Sequence, residues 1–209
     1  MPAAGPLTVS GPLLTLRYAD DDDAAALFEL GRDPAVTGFF SWGPYERVAQ
    51  AEAYVAGLAV KRDRGELLEF VIEHPEAGVV GVTGLSEFSL RDRRCVVGTW
   101  LGRPFWGTGA NAESKALVAR LAFEALAMER LTALANTRNG RSQRALERLG
   151  FRREGVLAAW HRHGETVHDV VVLGLLRAAW ERSPLARVPG QVGGTPPRAF
   201  VARVARVAR

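Results

Sequence analysis

The chain has 209 residues, 47% of them hydrophobic, and a formal charge of +4 from 27 basic and 23 acidic side chains. That is enough chain for one domain with a sizeable core, or for one domain and a tail. It holds no run of eighteen apolar residues, which excludes a membrane-spanning helix, and its single cysteine, Cys95, excludes an internal disulfide.

Cys95 lies in an apolar stretch and reads as a buried small hydrophobe, which fits a reducing, cytoplasmic setting. Met1-Pro2-Ala3-Ala4-Gly5-Pro6 lacks the basic and apolar regions of a secretory signal. The positive charge does not mark a nucleic-acid surface. Arg187, Arg198, Arg203, Arg206 and Arg209 all fall in residues 183–209, which hold no acid. Without those five, 22 basic groups face 23 acidic ones, so residues 1–182 are close to neutral. No nucleic-acid or membrane partner is expected.

In chain order, residues 13–18 read as a first strand. Asp20 to Asp23 then supply capping and first-turn acids for a helix through Leu30, which Asp33-Pro34 ends. Phe39-Phe40-Ser41-Trp42-Gly43-Pro44 is an aromatic loop, followed by a helix over residues 46–64 that Gly65 closes. Three β segments follow, at 67–74, 79–90 and 94–101, with hairpin turns at 75–78 and 91–93. Leu117, Val118, Leu121, Ala122, Ala125 and Leu126 give residues 111–128 the spacing of a helix packed on a sheet. A strand at 131–135, a short helix from Ser142 to Gly150, and strands at 154–159 and 167–176 complete the pattern. An antiparallel front half thus passes to a β-α-β unit, which is an α/β arrangement. Residues 1–182 read as one domain. Residues 183–209, with Pro184, Pro189, Gly190, Pro196 and Pro197, read as a flexible basic tail whose last residues are compatible with a short helix.

Two segments carry chemistry. The first is Trp106-Gly107-Thr108-Gly109-Ala110-Asn111, placed between an apolar strand and a helix. Strand, small-residue loop and helix N-terminus together present free N–H groups and a dipole end to an anion. No Lys follows the glycines as a nucleoside-triphosphate loop requires, and Ala112 stands where a dinucleotide loop has its third glycine. By itself the loop is either a plain turn or a phosphate cradle. The second segment runs from Asn136 through Asn139, Ser142 and Ala145 to Leu149-Gly150-Phe151.

Together these segments resemble the GNAT superfamily of acyl-CoA-dependent N-acetyltransferases, and more narrowly its RimJ/RimL-type branch. The family's phosphate motif is Arg/Gln-x-x-Gly-x-Gly/Ala. Here Trp106 takes the Arg/Gln place, Gly109 matches, and Asn111 takes the final Gly/Ala place. The second signature, Asn-x-x-Ser/Tyr followed by Ala and Leu-Gly-Phe, matches at Asn139, Ser142, Ala145, Leu149, Gly150 and Phe151. The resemblance covers most of residues 14–180. It implies a GNAT fold: α/β, with a mixed, mostly antiparallel central sheet of six to seven strands flanked by helices. It also implies acetyl-CoA as cosubstrate, an amine acceptor, no metal, and direct transfer in a ternary complex. A homodimer is one assembly it allows.

Transfer of an acetyl group to nitrogen needs a held thioester, an uncharged amine and a stabilised thiolate. By resemblance, the backbone at Trp100 and Leu101 holds the pantetheine arm, and Trp106, Gly107, Thr108, Gly109, Ala110 and Asn111 hold the phosphates. Asn139 helps to position CoA, and Ser142 hydrogen-bonds the sulfur. Arg144, with Arg141, faces the 3′-phosphate. Each residue also has a structural reading: Ser142 as a helix N-cap, Asn139 as a turn residue beside Gly140, the arginines as solvated charge. Many relatives carry an acid just before the glycine of the strand that here reads Val96-Val97-Gly98. In its absence Glu87 is the best acid for a general base, with Glu69 and Glu113 as alternatives. A non-catalytic acyl-CoA-binding module therefore stays open. Phe40 and Trp42, with Phe39 and Tyr45, are placed to wall an acceptor cleft or to pack as core, and Asp169 to touch substrate or order its strand. His161, His163 and His168 lack the spacing of a closed metal site.

Overall fold

Alternating apolar positions build the front of the molecule. In the computed structural model, which describes residues 5–202, β1 (Thr8–Ser10) and β2 (Thr15–Arg17) pair as a short hairpin. Helix α1 (Asp23–Gly31), a single turn α2 (Pro34–Thr37) and α3 (Val48–Asp63) follow. In α3, Ala51, Val55 and Leu58 bury one face at helical spacing. Strands β3 (Leu67–His74), β4 (Gly78–Ser89) and β5 (Arg94–Leu101) form an antiparallel meander. Helix α4 (Ala110–Arg120), which continues as a π turn to Ala125, crosses over to β6 (Arg130–Asn136), parallel to β5. After α5 (Gly140–Arg148), β7 (Arg152–His163) and β8 (Thr166–Leu176) form a long hairpin on β6. Two single turns, α6 (Arg177–Trp180) and α7 (Pro184–Arg187), lead to a last strand, β9 (Gln191–Gly193).

Among the described residues the sheet has nine strands in the order β7-β8-β6-β5-β4-β3-β2-β1-β9. Six or seven were expected; the extra pair, β1 and β9, are three-residue strands at one edge. Successive residues of β3 feed opposite faces. Leu68, Phe70 and Ile72 join the large core under α4, while Val71 joins Ala24, Leu27, Ala51, Val55, Val82 and Trp100 under α1 and α3. No helix among the described residues is long and apolar enough to cross a membrane.

Two expectations change here. The acids before α1 cap it only in part: Asp20 Oδ1 accepts from the Asp22 N–H at 3.1 Å, but Asp22, at the N-cap, makes no side-chain cap bond. Asp23 is instead buried and takes both ends of the Arg17 guanidinium at 2.7 and 2.8 Å, with Glu73 on the Nε at 2.9 Å. Residues 183–202 are also not a free linker. Ser183 caps α7, Leu185 is buried, Arg120 holds the carbonyls of Ala186 and Val188, β9 pairs with β1, and Phe200 is fully buried against Phe88. The prolines that read as disorder start a turn at Pro184 and precede another at Pro197. Arg203, Arg206 and Arg209 lie outside the described residues.

Candidate active site

The site begins where two parallel strands part. β5 and β6 pair only at Arg94↔Arg130, Cys95↔Leu131 and Val96↔Thr132. Beyond that point β5 stays with β4 as far as Leu101, and β6 stays with β8 as far as Asn136. The facing edges of residues 97–101 and 133–136 therefore have no ladder between them. Gly98 is exposed in mid-strand, while Trp100 and Leu101 are buried. The Nδ2 of Asn136 is buried at the end of β6 without a partner, although its Oδ1 accepts from the Arg138 N–H at 2.9 Å. A buried, unsatisfied donor beside unpaired strand edges fits a ligand that brings amide groups of its own.

The loop after β5 fits an anion. A 3₁₀ turn at Arg103–Phe105 leads to Trp106, whose Nε1 donates to the Leu101 carbonyl at 2.9 Å. Gly107 and Gly109 have φ of 81° and 97°, and a Cβ on either would meet nothing within 4 Å. The backbone conformation, not crowding, demands glycine, and the loop's outer surface stays open to a guest. Thr108 Oγ1 ties back to the Phe105 carbonyl at 2.9 Å. Gly109 is the N-cap of α4, so the amides of Ala110 and Asn111 begin the helix at its positive end. One turn on, the buried Lys115 donates to Asn111 Oδ1 at 2.9 Å. Burial pushes that ammonium down to about 8.

Across the mouth of the splay lies the first turn of α5. Asn139 is its cap, accepting from the Ser142 N–H at 3.0 Å, and Ser142 is half-buried in the first turn. The capping role thus belongs to Asn139 and not to Ser142, because the helix starts at Gly140. The Arg141 guanidinium lies 3.4 Å from the Trp106 ring centroid, joining the two segments. Arg144 is exposed and folds back against Gly140.

On the α1/α3 face, Trp42 packs with Phe40, Tyr45 and Trp100 at centroid distances of 5.6, 5.2 and 5.4 Å. The β7–β8 hairpin reaches this loop, with His163 Nε2 2.7 Å from the Gly43 carbonyl. Asp169 Oδ1 accepts from the Ala159 N–H at 2.8 Å, where Ala159 has a φ of 51°; it holds the irregular backbone of β7. His161 pairs with His168 across the hairpin, and its Nδ1 is buried without a partner. Burial lowers its pKa, and the Glu87 charge pulls it the other way.

The family profile of the GNAT acetyltransferase domain matches residues 14–152. The chain belongs to the GNAT acetyltransferase family. It is 28% identical over 165 residues to the uncharacterized N-acetyltransferase p20 of Bacillus licheniformis, covering 78% of this chain and 93% of that one. A crystal structure from T. thermophilus, of a protein assigned as an acetyltransferase, shares 32% identity and a TM-score of 0.74, covering 86% of this chain and 94% of that one. Mycobacterium smegmatis RimJ in complex with CoA-disulfide has the same fold, with a TM-score of 0.74 at 23% identity over 88% of this chain and 91% of that one.

The three acids considered for the GNAT base separate clearly. Glu113 is committed to structure, because its Oε1 accepts from the N–H groups of Leu13 and Leu14, both at 2.8 Å. Glu87 is exposed in a bulge of β4 with a φ of 50°, just past Ser86, which pairs with Val96 at the closed end of the splay. Glu69 is mostly shielded, and its Oε1 accepts from the Tyr54 hydroxyl. Its pKa is raised by burial, with the Tyr54 bond acting in the other direction. Sequence reasoning missed Tyr54, Lys115 and the Asn136 amide. Only Lys115 left a signal: it is a lysine at a helix position surrounded by small and apolar residues.

Proposed function

We propose that this chain moves an acetyl group from acetyl-CoA to a primary amine by direct transfer in a ternary complex. The observation that carries the reading is the parting of β5 from β6 between an open glycine loop and the capped turn at Asn139. In this reading, the unpaired edge at Trp100 and Leu101 hydrogen-bonds the pantetheine arm. The segment from Trp106 to Asn111 takes the pyrophosphate, Asn139 helps to position CoA, and Arg144, with Arg141, faces the 3′-phosphate. The Ser142 hydroxyl hydrogen-bonds the departing thiolate. Phe40 and Trp42 wall the acceptor side. The leading acceptor is a protein N-terminal α-amine, such as that of a ribosomal protein, with small amines as the alternative.

The test is a calorimetric titration with acetyl-CoA, followed by thiol release with a panel of N-terminal peptides and small amines. Stoichiometric micromolar binding with amine-dependent thiol release is the expected result. Binding without release from any amine would leave a non-catalytic CoA-binding module, the reading favoured by valine at positions 96 and 97. No detectable heat at several temperatures would overturn the CoA reading itself.

A further inference from the structure

Glu69, Gly84 and Gly98 form one row across three strands, with Glu69 paired to Gly84 and Gly84 to Gly98. Directly paired residues point to the same face, so this row faces α1, α3 and the aromatic loop. Only Glu69 has a side chain, and it leans over β4: a Cβ on Gly84 would lie 2.9 Å from Glu69 Cγ. A Cβ on Gly98 would meet nothing within 4 Å. A trough therefore runs from the carboxylate, over two glycines, to the edge of β5 that borders the splay. Among the described residues the carboxylate has a hydroxyl partner, Tyr54, and no ion-pair partner. Lys61 acts on it by charge without making an ion pair. A shielded carboxylate without a paired cation is unfavourable, and such groups concentrate where a ligand supplies the missing charge.

We propose that Glu69 receives the acceptor's ammonium group over Gly98 and takes its proton, an inference that rests on the transferase reading above. The ammonium gives one proton to the Glu69 carboxylate. The freed nitrogen lone pair forms the C–N bond to the thioester carbonyl carbon, and the C–S bond breaks with its electron pair on sulfur. A second proton leaves the nitrogen and ends on the thiolate, giving amide and free thiol. Glu69 then returns its proton to solvent. The substrate class is a primary amine that is cationic when it arrives.

The charged and titratable groups facing Glu69 are Tyr54 and Lys61 from α3 and Tyr45 from the aromatic loop. The Tyr54 bond favours the ionised carboxylate, so Tyr54→Phe moves the acidic limb of the rate profile to higher pH. A purely structural Tyr54 would leave that limb in place.

The experiment compares wild type, Glu69→Gln and Tyr54→Phe. It measures acetyl-CoA affinity by calorimetry, kcat/KM against pH for a peptide amide with a free N-terminus and for benzylamine, and binding of both amines to the CoA-loaded protein. The expected result for Glu69→Gln is unchanged acetyl-CoA affinity, a loss of kcat/KM of at least about a hundredfold, and no acidic limb. Full turnover with an unaltered pH profile would overturn the role of Glu69 and leave the transferase reading standing. If wild type turns over neither amine, the transferase reading fails. Amine binding that Glu69→Gln abolishes would then still support the site, and equal binding would overturn it. An amine that neither reacts with nor binds wild type overturns both.

Discussion

The Arg141 guanidinium sits over the Trp106 ring, 3.4 Å from its centroid, and so ties the loop that follows β5 to the helix that follows β6. Trp106 is held from its other edge as well, through the bond from its Nε1 to the Leu101 carbonyl. One side chain thus fixes the strand end, the glycine loop and the first turn of α5 around the mouth of the splay. This accounts for a tryptophan at the place where the family motif has Arg or Gln. The ring gives up a charge of its own and holds one that α5 supplies.

Trp106→Ala removes both attachments. A cation–π contact of about 1 kcal/mol and a hydrogen bond of about 1 kcal/mol together correspond to roughly thirtyfold in affinity. Acetyl-CoA binding by calorimetry is expected to weaken by about that factor. Trp106→Phe, which keeps a ring under Arg141, should recover part of it. Unchanged affinity in Trp106→Ala would mean that the loop holds its shape without the clamp.

Because Asn139 and not Ser142 caps α5, the two residues can be separated by experiment. Ser142→Ala is expected to leave stability within about 0.5 kcal/mol and acetyl-CoA affinity intact. It should lower kcat about tenfold to a hundredfold, the worth of one hydrogen bond to a charged sulfur. Asn139→Ala should instead lower stability by about 1 kcal/mol. Steady-state kinetics with chemical denaturation checks both, and undiminished turnover in Ser142→Ala removes it from the chemistry.

Gly98→Val should divide stability from activity. Gly98 has an ordinary strand φ, an added Cβ there meets nothing within 4 Å, and a β-branched residue suits a strand. Its thermal midpoint is expected to match or exceed that of wild type. Its amine kcat/KM should fall at least about tenfold, because the new methyl groups fill the trough where the amine must approach. A variant with both properties of the wild type would show that the reacting groups meet elsewhere.

The parts of this site legible in the sequence are those with local causes. A glycine pair that needs positive φ and an Asn-x-x-Ser segment that opens a helix are each written within six residues, although that Asn139 and not Ser142 is the cap shows only in the structure. The hydrophobic spacing of residues 67–101 gives the meander in the same way. Glu69 is visible only as one acid among several, because its position depends on cross-strand register: it lies in one row with Gly84 and Gly98, 15 and 29 residues away. Asp169 and Glu113 are turned to structure by backbone N–H groups from distant segments, at Ala159 and at Leu13 and Leu14, which no local pattern announces. The composition of residues 183–202 read as disorder because Pro and Gly also serve tight turns, and the apolar anchors Leu185 and Phe200 are too sparse to show a period.

Phe200 is the deepest of those anchors. It is fully buried, 4.7 Å from the Phe88 ring centroid, and next to Ala202, whose N–H donates to the Leu126 carbonyl at 3.0 Å. Phe200→Ala is expected to lower stability by about 3–5 kcal/mol in denaturant unfolding. Removal of residues 183–209 should destabilise at least as much, since it also strips β9 from the sheet edge. A truncated chain as stable as the full one would restore the reading of this segment as a dispensable tail.

Lys115 makes stability depend on pH in a direction opposite to that of most lysines. Burial holds it at about 8 in the folded chain, below its ordinary 10.5. Below pH 8 both states carry the charge, and the folded state bears the full penalty of burying it. Between 8 and 10.5 the unfolded chain binds more protons than the folded one, so stability rises with pH across that window. The total rise is of the order of 3 kcal/mol. Lys115→Met removes the charge and keeps the length, so it should be more stable than wild type at pH 7, and the difference should shrink towards pH 10. Denaturation midpoints of the two proteins at pH 7, 8.5 and 10 test this, and a constant difference would show that the Lys115 ammonium is solvated or paired in the folded chain.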